Sequence, residues 1–368
     1  MYFKGLLYTQ KTLAVRRSTL SLFFRPLCES AKKTLGKVES SAFNIVGILP
    51  TKENGFAKGE TFLHTFLNKM HFFYAMEEAT KQKFINAGRI SAEVRDYGAS
   101  LIKKNSSLLE VVEAVEKKIF ELGAQPAFPV QISCDHIAAH YCPESDDKIV
   151  FGEQLVSLDV GVHIDGCIGD TAYTVDLSGK HGDVVKAAQK ALDEALKVVR
   201  VGATLGEIGK AIQDTIQSYG YSPVRNLSGH GIDAYNIHTE PTIPNYDTHD
   251  KTTLKKGQVV AIEPFATNGF GMIQEAGQPS VFMLVVKKPV RNPITREVLK
   301  QIEAYHGLPF CRRWLVRQFG VKANYALREM TMMGMLQQFP PLVEVKKGMV
   351  AQAEHTVLLD DEPIILTK

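Results

Sequence analysis

No run of apolar residues in this chain approaches the ~20 that a membrane-spanning helix needs, so a soluble protein with no membrane partner is expected. Cysteine is sparse. Cys28, Cys134, Cys142, Cys167 and Cys311 are odd in number, widely spaced and form no CxxC pair, which argues against a disulfide scaffold or a zinc knuckle. Neither sign of charge dominates: the 368 residues hold 43 Lys+Arg against 40 Asp+Glu. The small surplus hides an asymmetry, because residues 1–75 have 11 basic side chains against four Glu and no Asp, whereas residues 76–368 have 32 against 36. The larger part is mildly acidic and gives no electrostatic case for a specific nucleic-acid partner. With 45% hydrophobic residues, 28 Gly and 16 Pro, the chain has room for one large domain or two ordinary ones.

Residues 1–75 scatter Arg16, Arg17, Arg25, Lys32 and Lys33 among Ser, Thr, Leu and Phe with little periodicity. Three readings are open: an organellar leader, a small added surface element, or a start of translation at Met76. The last is favoured here, since a helical pattern begins at Met76 with Glu77 and Glu78 in its first turn, where carboxylates complement the helix dipole.

From Met76 to Lys104 the apolar spacing predicts a helix, and Ser107 with Glu110 predicts a capped second helix ending near Gly123. The pattern recurs 97 residues later. Ser107-Leu108-x-Glu110-Val111 through Gly123 matches Thr204-Leu205-x-Glu207-Ile208 through Gly220, and each copy follows an amphipathic helix, the second over Asp183 to Arg200. A strand is predicted after each copy, at Phe128 to Ser133 and Val224 to Leu227. The duplication implies two similar halves with a site between them. Further strands are expected at Gln154 to Thr174, Val259 to Ile262, Ser280 to Lys287 and Val350 to Leu359. Residues 290–340 read instead as an all-helical insertion in the second half, over Thr295 to His306, Phe310 to Gln318 and Tyr325 to Leu336.

Leu155 to Ile164 and Cys167 to Tyr173 flank Asp165-Gly166 and predict a two-residue hairpin in which Asp159 faces Ala172. Asp170 then lies on the same face as Asp159, diagonal and roughly 7 Å away. Aspartates are depleted in strands and like charges repel across them, so a divalent metal is the economical reason for the pair. Glu263 ends Val259 to Ile262, Glu354 lies within Val350 to Leu359, and His230 sits between Gly229 and Gly231. Each taken singly suits a paired structural residue. Together Asp159, Asp170, His230, Glu263 and Glu354 offer four negative charges and an imidazole, which balance two divalent cations that activate a water for attack on a carbonyl. Such ligands suit Co, Mn, Fe or Zn and do not choose among them.

The order Asp-x10-Asp, His, Glu, Glu resembles the dinuclear aminopeptidases of the pita-bread fold, and specifically the type 2 methionine aminopeptidases. Residues 76–368 carry the likeness, with Ala127-Phe128-Pro129, Ala138-Ala139-His140-Tyr141, Gly229-His230-Gly231, Ile237-His238, Ile262-Glu263-Pro264-Phe265, Phe310-Cys311-Arg312-Arg313-Trp314, Pro340-Pro341-Leu342 and Glu354-His355-Thr356 in family order. The fold it implies is α+β, two pseudo-two-fold halves around a curved antiparallel sheet, with a helical, winged-helix-like insertion at about 290–345. The resemblance implies that Asp159 chelates one metal, that His230 and Glu263 hold the other, and that Asp170 and Glu354 bridge them. It also implies that His140 and His238 contact the substrate and stabilise the oxyanion, and that Glu263 accepts the proton of the attacking water. Phe128, Ile237, His238, Phe265 and Phe339 fall on the positions of the methionine pocket, whose aromatic edges suit a thioether.

Glu263 and Glu354 stand 91 residues apart, close to the type 2 pattern. Two positions depart from that pattern: Ser157 replaces a lysine two residues before the first ligand Asp, and Phe339 replaces a tyrosine before Pro-Pro. No long charged extension is present, which makes the chain look like the compact archaeal form. The activity implied is excision of the initiator methionine from nascent polypeptides, at the ribosome, by a cytoplasmic monomer that prefers a small second residue. Two alternatives stay open: an Xaa-Pro aminopeptidase or prolidase-like enzyme, which carries a larger folded N-terminal domain, and a non-catalytic pita-bread protein that binds ribosomes or nucleic acid, in which ligands should be missing.

Overall fold

The computed structural model describes residues 76–368, and the expectations for residues 1–75 lie outside the described residues. Two helices open the first half, α1 (Glu78–Leu101) and α2 (Leu108–Glu121). A second pair opens the other half, α3 (Gly182–Val198) and α4 (Leu205–Ser218). The repeat is kept residue for residue, since α2 and α4 both start and end 97 positions apart. The short strands that follow start at the same offset, Gln125–Pro126 and Gln131–Cys134 in one half, Ser222–Pro223 and Ser228–Asp233 in the other, the last running two residues longer. Local chemistry explains the copy. Ser107 and Thr204 each accept a hydrogen bond from the backbone three residues on, while Gly123 and Gly220 end the helices at positive φ. Only Thr204 completes the reciprocal capping box with Glu207.

Two strand expectations are corrected here. Val224 to Leu227 is the connection between two strands, and Phe128 to Ser133 is strand only from Gln131. In each half a non-strand link joins a short outer strand to a longer inner one, so a single apolar run spans a break that composition alone does not mark.

All the strand pairings among the described residues are antiparallel, as expected, and they divide into several hydrogen-bonded segments. Leu155–Ile164 and Cys167–Asp176 pair as the predicted hairpin, with Asp159 opposite Ala172 and Ile164 opposite Cys167. On its other side the first strand receives Gln131–Cys134, which places Gln131 opposite Asp159. In the second half Val259–Ile262 lies between Ser228–Asp233 and His355–Leu358.

Each half has its own core. Val94, Leu108, Val112, Val115 and Ile119 from α1 and α2 pack on Ile132, Val156, Leu158 and Val160. Ala188, Leu192, Ile208 and Ile212 from α3 and α4 pack on Val260, Ile262, Ala351 and Val357. Helix α1 lies directly on the hairpin because Gly88 and Gly169 touch; a β-carbon on Gly169 would come within 2.6 Å of Gly88 Cα.

The stretch expected to be all-helical holds α5 (Pro293–Glu303), α6 (Arg312–Phe319) and α7 (Lys322–Met332), and also strands. Phe310–Cys311 and Leu336–Phe339 pair with opposite edges of Val281–Leu284. The helix expected from Phe310 therefore begins only at Arg312, and the one expected to reach Leu336 ends at Met332, because these apolar residues complete a three-stranded sheet on which the helices rest.

Candidate active site and metal centre

The two halves meet at a cavity of about 510 Å³. Every residue singled out from the sequence lines it: Asp159, Asp170, His230, Glu263 and Glu354, the histidines His140 and His238, and the apolar Phe128, Ile237, Phe265 and Phe339. No lysine or arginine is among its lining residues.

The five candidate ligands come from strand ends and strand faces. Asp159 and Asp170 project from the two arms of the hairpin. Glu263 follows Val259–Ile262, and Glu354 falls in the break between Val350–Gln352 and His355–Leu358, where the expected single strand is divided. The division leaves Glu354 free of the ladder while its N–H still donates to Ala172 O at 3.1 Å. His230 Nε2 stands 3.7 Å from Asp170 Oδ2 and 3.5 Å from Glu263 Oε1. Ligand atoms of Asp170, His230 and Glu354 all lie within 4.8 Å of one another. Neighbouring hydroxyls fix these strands: Thr356 Oγ1 both accepts from Asp170 N at 2.8 Å and donates to Asp170 O at 2.7 Å.

The electrostatics call for cations. Burial pushes Asp170, Glu263 and Glu354 well above the usual carboxylate range, and their mutual charges push the same way. Burial raises Asp159 to about 7, against the hydrogen bond it takes from Gln352. Asp159 Oδ1 and Asp170 Oδ1 are buried with no hydrogen-bond partner among the described residues. Orphaned buried carboxylate oxygens are costly. The donor set, four carboxylates and one imidazole around a shared space, fits a pair of divalent cations.

His140 and His230 are held neutral, lowered by burial to about 4 and about 3, with His238 opposing their charge. Burial by the surrounding walls also lowers His238, although the residue keeps an exposed surface. The rings of His230 and His238 meet edge-on at 4.5 Å, and His140 meets Phe339 edge-on at 5.5 Å.

Sequence reasoning missed Gln131 and Gln352. Gln131 Oε1 accepts from His140 N at 2.8 Å, and Gln352 Nε2 donates to Glu263 Oε2 at 3.4 Å. Both had a signal: Gln352 is two residues before Glu354 in a predicted strand, and Gln131 lies in the strand that flanks Asp159. Ser157, where a lysine was the expectation, shares a buried 2.9 Å hydrogen bond with Thr174.

Residues 82–360 match the model of metallopeptidase family M24. The chain is 45% identical to a methionine aminopeptidase of Archaeoglobus fulgidus over 79% of its own length and 99% of that protein. It is 42% identical to that of Methanocaldococcus jannaschii, again over 79% and 99%. The crystal structure of a methionine aminopeptidase from Thermotoga maritima superposes with a TM-score of 0.58 at 23% identity, covering 80% of this chain and 98% of that one, and so shares the fold. The chain belongs to metallopeptidase family M24, among its methionine aminopeptidases.

Proposed function

We propose that this chain is a type 2 methionine aminopeptidase that removes the initiator methionine from nascent polypeptides, with a small second residue preferred. The observation that carries this reading is the cavity, where an apolar wall and a carboxylate cluster with orphaned oxygens face one another. Asp159 would hold one divalent cation, His230 and Glu263 the other, and Asp170 and Glu354 would bridge them. When bound, such a pair supplies a water of lowered pKa and polarises the scissile carbonyl.

The chain's own residues do the rest. Phe128, Ile237, Phe265 and Phe339 take the methionine side chain, whose thioether packs on aromatic edges. Neutral His140 and His238 donate N–H hydrogen bonds to the substrate carbonyl as it gains charge, a role a neutral imidazole fills without losing its proton. His140 Nδ1 is buried without a partner among the described residues and is available to substrate. Glu263 takes the proton of the attacking water and returns it to the leaving amine.

The type 2 assignment rests on the insertion between Glu263 and Glu354 and on the compact archaeal relatives. Cytoplasmic action as a monomer at the ribosome belongs to the same reading. In its support, Cys134, Cys142, Cys167 and Cys311 are free thiols, as suits a reducing compartment. No helix among the described residues is long and apolar enough to cross a membrane.

The experiment compares Met-Ala-Ser with its acetylated form and with Ala-Pro-Ser, with and without added Co or Mn. Metal-dependent cleavage of free Met-Ala-Ser alone is expected. Cleavage of Ala-Pro-Ser in its place would turn the reading to an Xaa-Pro peptidase, and metal-independent turnover would end it.

A further inference from the structure

Between the strands Val281–Leu284 and Leu336–Phe339, residues 285–335 hold ten Lys+Arg against three Glu and no Asp, a net of +7. The other described residues hold 22 against 33, a net of −11. The mild acidity of the whole conceals one strongly basic element. Lys287 pairs with Glu303 within it, and Arg312, Arg313 and Arg317 pair with Glu144, Glu116 and Glu113 outside it, so Lys288, Arg291, Arg296, Lys300, Lys322 and Arg328 are its cations with no carboxylate partner among the described residues.

Helix α7 presents a bare stripe. Val321 at its cap, Tyr325, Arg328 and Met332 recur at intervals of four, three and four residues and so share one face. Val321, Tyr325 and Met332 are 76%, 73% and 79% exposed, while Ala323, Ala326, Leu327 and Met330 face the core. Lys322 flanks the stripe. Next to it lies a cavity of about 310 Å³ whose lining includes Phe282, Arg312, Asn324, Arg328, Thr331 and Gln338. Arg312 also lies over the Phe282 ring, 5.8 Å from its centre. Gln338 precedes Phe339 on one strand, so this cavity and the catalytic one flank the same segment.

We infer that this face of the insertion binds single-stranded RNA. The charge partition selects a polyanion here and repels it elsewhere. An exposed aromatic between two cations offers a base a stacking surface with phosphates paired on either side, and the neighbouring amides and hydroxyl reach base edges. RNA in preference to DNA rests on the nascent-chain reading above; the surface itself does not. No sequence specificity is implied.

The test measures binding of a labelled oligouridylate to the metal-loaded full chain by fluorescence anisotropy across a salt series. Met-Ala-Ser turnover is followed on the same samples, so a failure of the peptidase reading is seen separately. Lys322→Glu with Arg328→Glu should weaken binding roughly tenfold or more and reduce the log–log salt slope by about 1.4, the value for two single-strand phosphate contacts. Tyr325→Ala should weaken it about five- to a hundredfold through lost stacking. All these side chains are exposed, so melting temperature and turnover should not change. Equal affinity and slope in wild type and the charge-reversed variant would overturn the inference. So would oligonucleotide binding that survives both changes and is lost only in Val321→Ser with Met332→Ser, the pattern of a protein-docking face.

Discussion

The backbone N–H of His140 donates to Gln131 Oε1 at 2.8 Å, and this bond ties down a histidine held in the left-handed region at φ 67°. A non-glycine residue keeps that conformation only where its surroundings over-determine it. Gln131→Leu removes the acceptor and leaves an N–H unpaired in a partly buried place, at a stability cost of about 1–3 kcal/mol. The larger effect is on position. Displacing a substrate-contacting imidazole by about 1 Å costs up to ~100-fold in rate, so kcat/KM for Met-Ala-Ser should fall about ten- to a hundredfold, with kcat carrying most of the loss. Unchanged kinetics in Gln131→Leu would remove His140 from the proposed machinery.

The carboxylate cluster sets a pH dependence for the metal-free protein. Asp159 is raised by burial to about 7, and Asp170, Glu263 and Glu354 are held well above the usual carboxylate range by burial and mutual repulsion. A raised acid binds protons in the folded state that the unfolded chain has already lost, so its contribution is greatest at low pH and disappears as pH rises through the folded value. His140 and His230 act oppositely, because burial holds them below 6.5 and they destabilise the fold only as pH drops beneath that value. Above pH 6.5 the carboxylates alone remain, and the melting temperature of chelated protein should fall from there to about pH 8. Over the same interval Mn binding should tighten and release protons, measurable as a buffer-dependent calorimetric heat. A flat melting curve with no proton release would show that the carboxylates are ionised without metal.

Much of the cavity lining was legible because acids and a histidine set in apolar strands call for partners. Asp159 and Asp170 could be placed on one face because an Asp-Gly turn fixes hairpin register, and the observed pairing of Asp159 with Ala172 follows that register. The duplication was legible in Ser107 and Thr204 because caps depend on local sequence. What escaped was decided by distant parts of the chain. Gln131 is an unremarkable strand glutamine until strand pairing sets it opposite Asp159. Leu336 to Phe339 has an apolar pattern that serves helix or strand equally, and only the free edge of Val281–Leu284 decides for strand.

Gly161 lies against Phe128, which lines the cavity and is proposed to take the methionine side chain. It pairs with Asp170 in the hairpin, and a β-carbon there would come within 2.1 Å of Phe128 Cε1. Gly161→Ala therefore drives Phe128 into the cavity, an overpacking that costs about 1–3 kcal/mol. The expected signature is selectivity: KM for Met-Ala-Ser rises about tenfold or more, while the shorter first residue of Ala-Ala-Ser is disfavoured less. An equal change for both peptides would mean that Phe128 does not shape the first-residue pocket.

The insertion is anchored by a buried charge pair. Arg313 is fully buried, and its Nη1 and Nη2 donate to Glu116 Oε2 and Oε1 at 2.9 and 2.6 Å, while Nε donates to Pro143 O at 3.1 Å. Helix α6 is thereby bound to α2 and to the loop three residues beyond His140. Glu116→Leu strands a guanidinium in the interior, which costs about 3–5 kcal/mol and should lower the melting temperature by roughly 10 °C. Glu116→Leu with Arg313→Met replaces both charges by apolar groups and should recover most of that loss, since a buried pair adds little beyond its own desolvation. Arg317 and Glu113 pair at an exposed position nearby, and Glu113→Ala should change stability by less than about 1 kcal/mol, fading with salt. Additive losses in the Glu116 and Arg313 double variant would mean that the guanidinium contributes through Pro143 and packing, and that the bidentate bond is incidental.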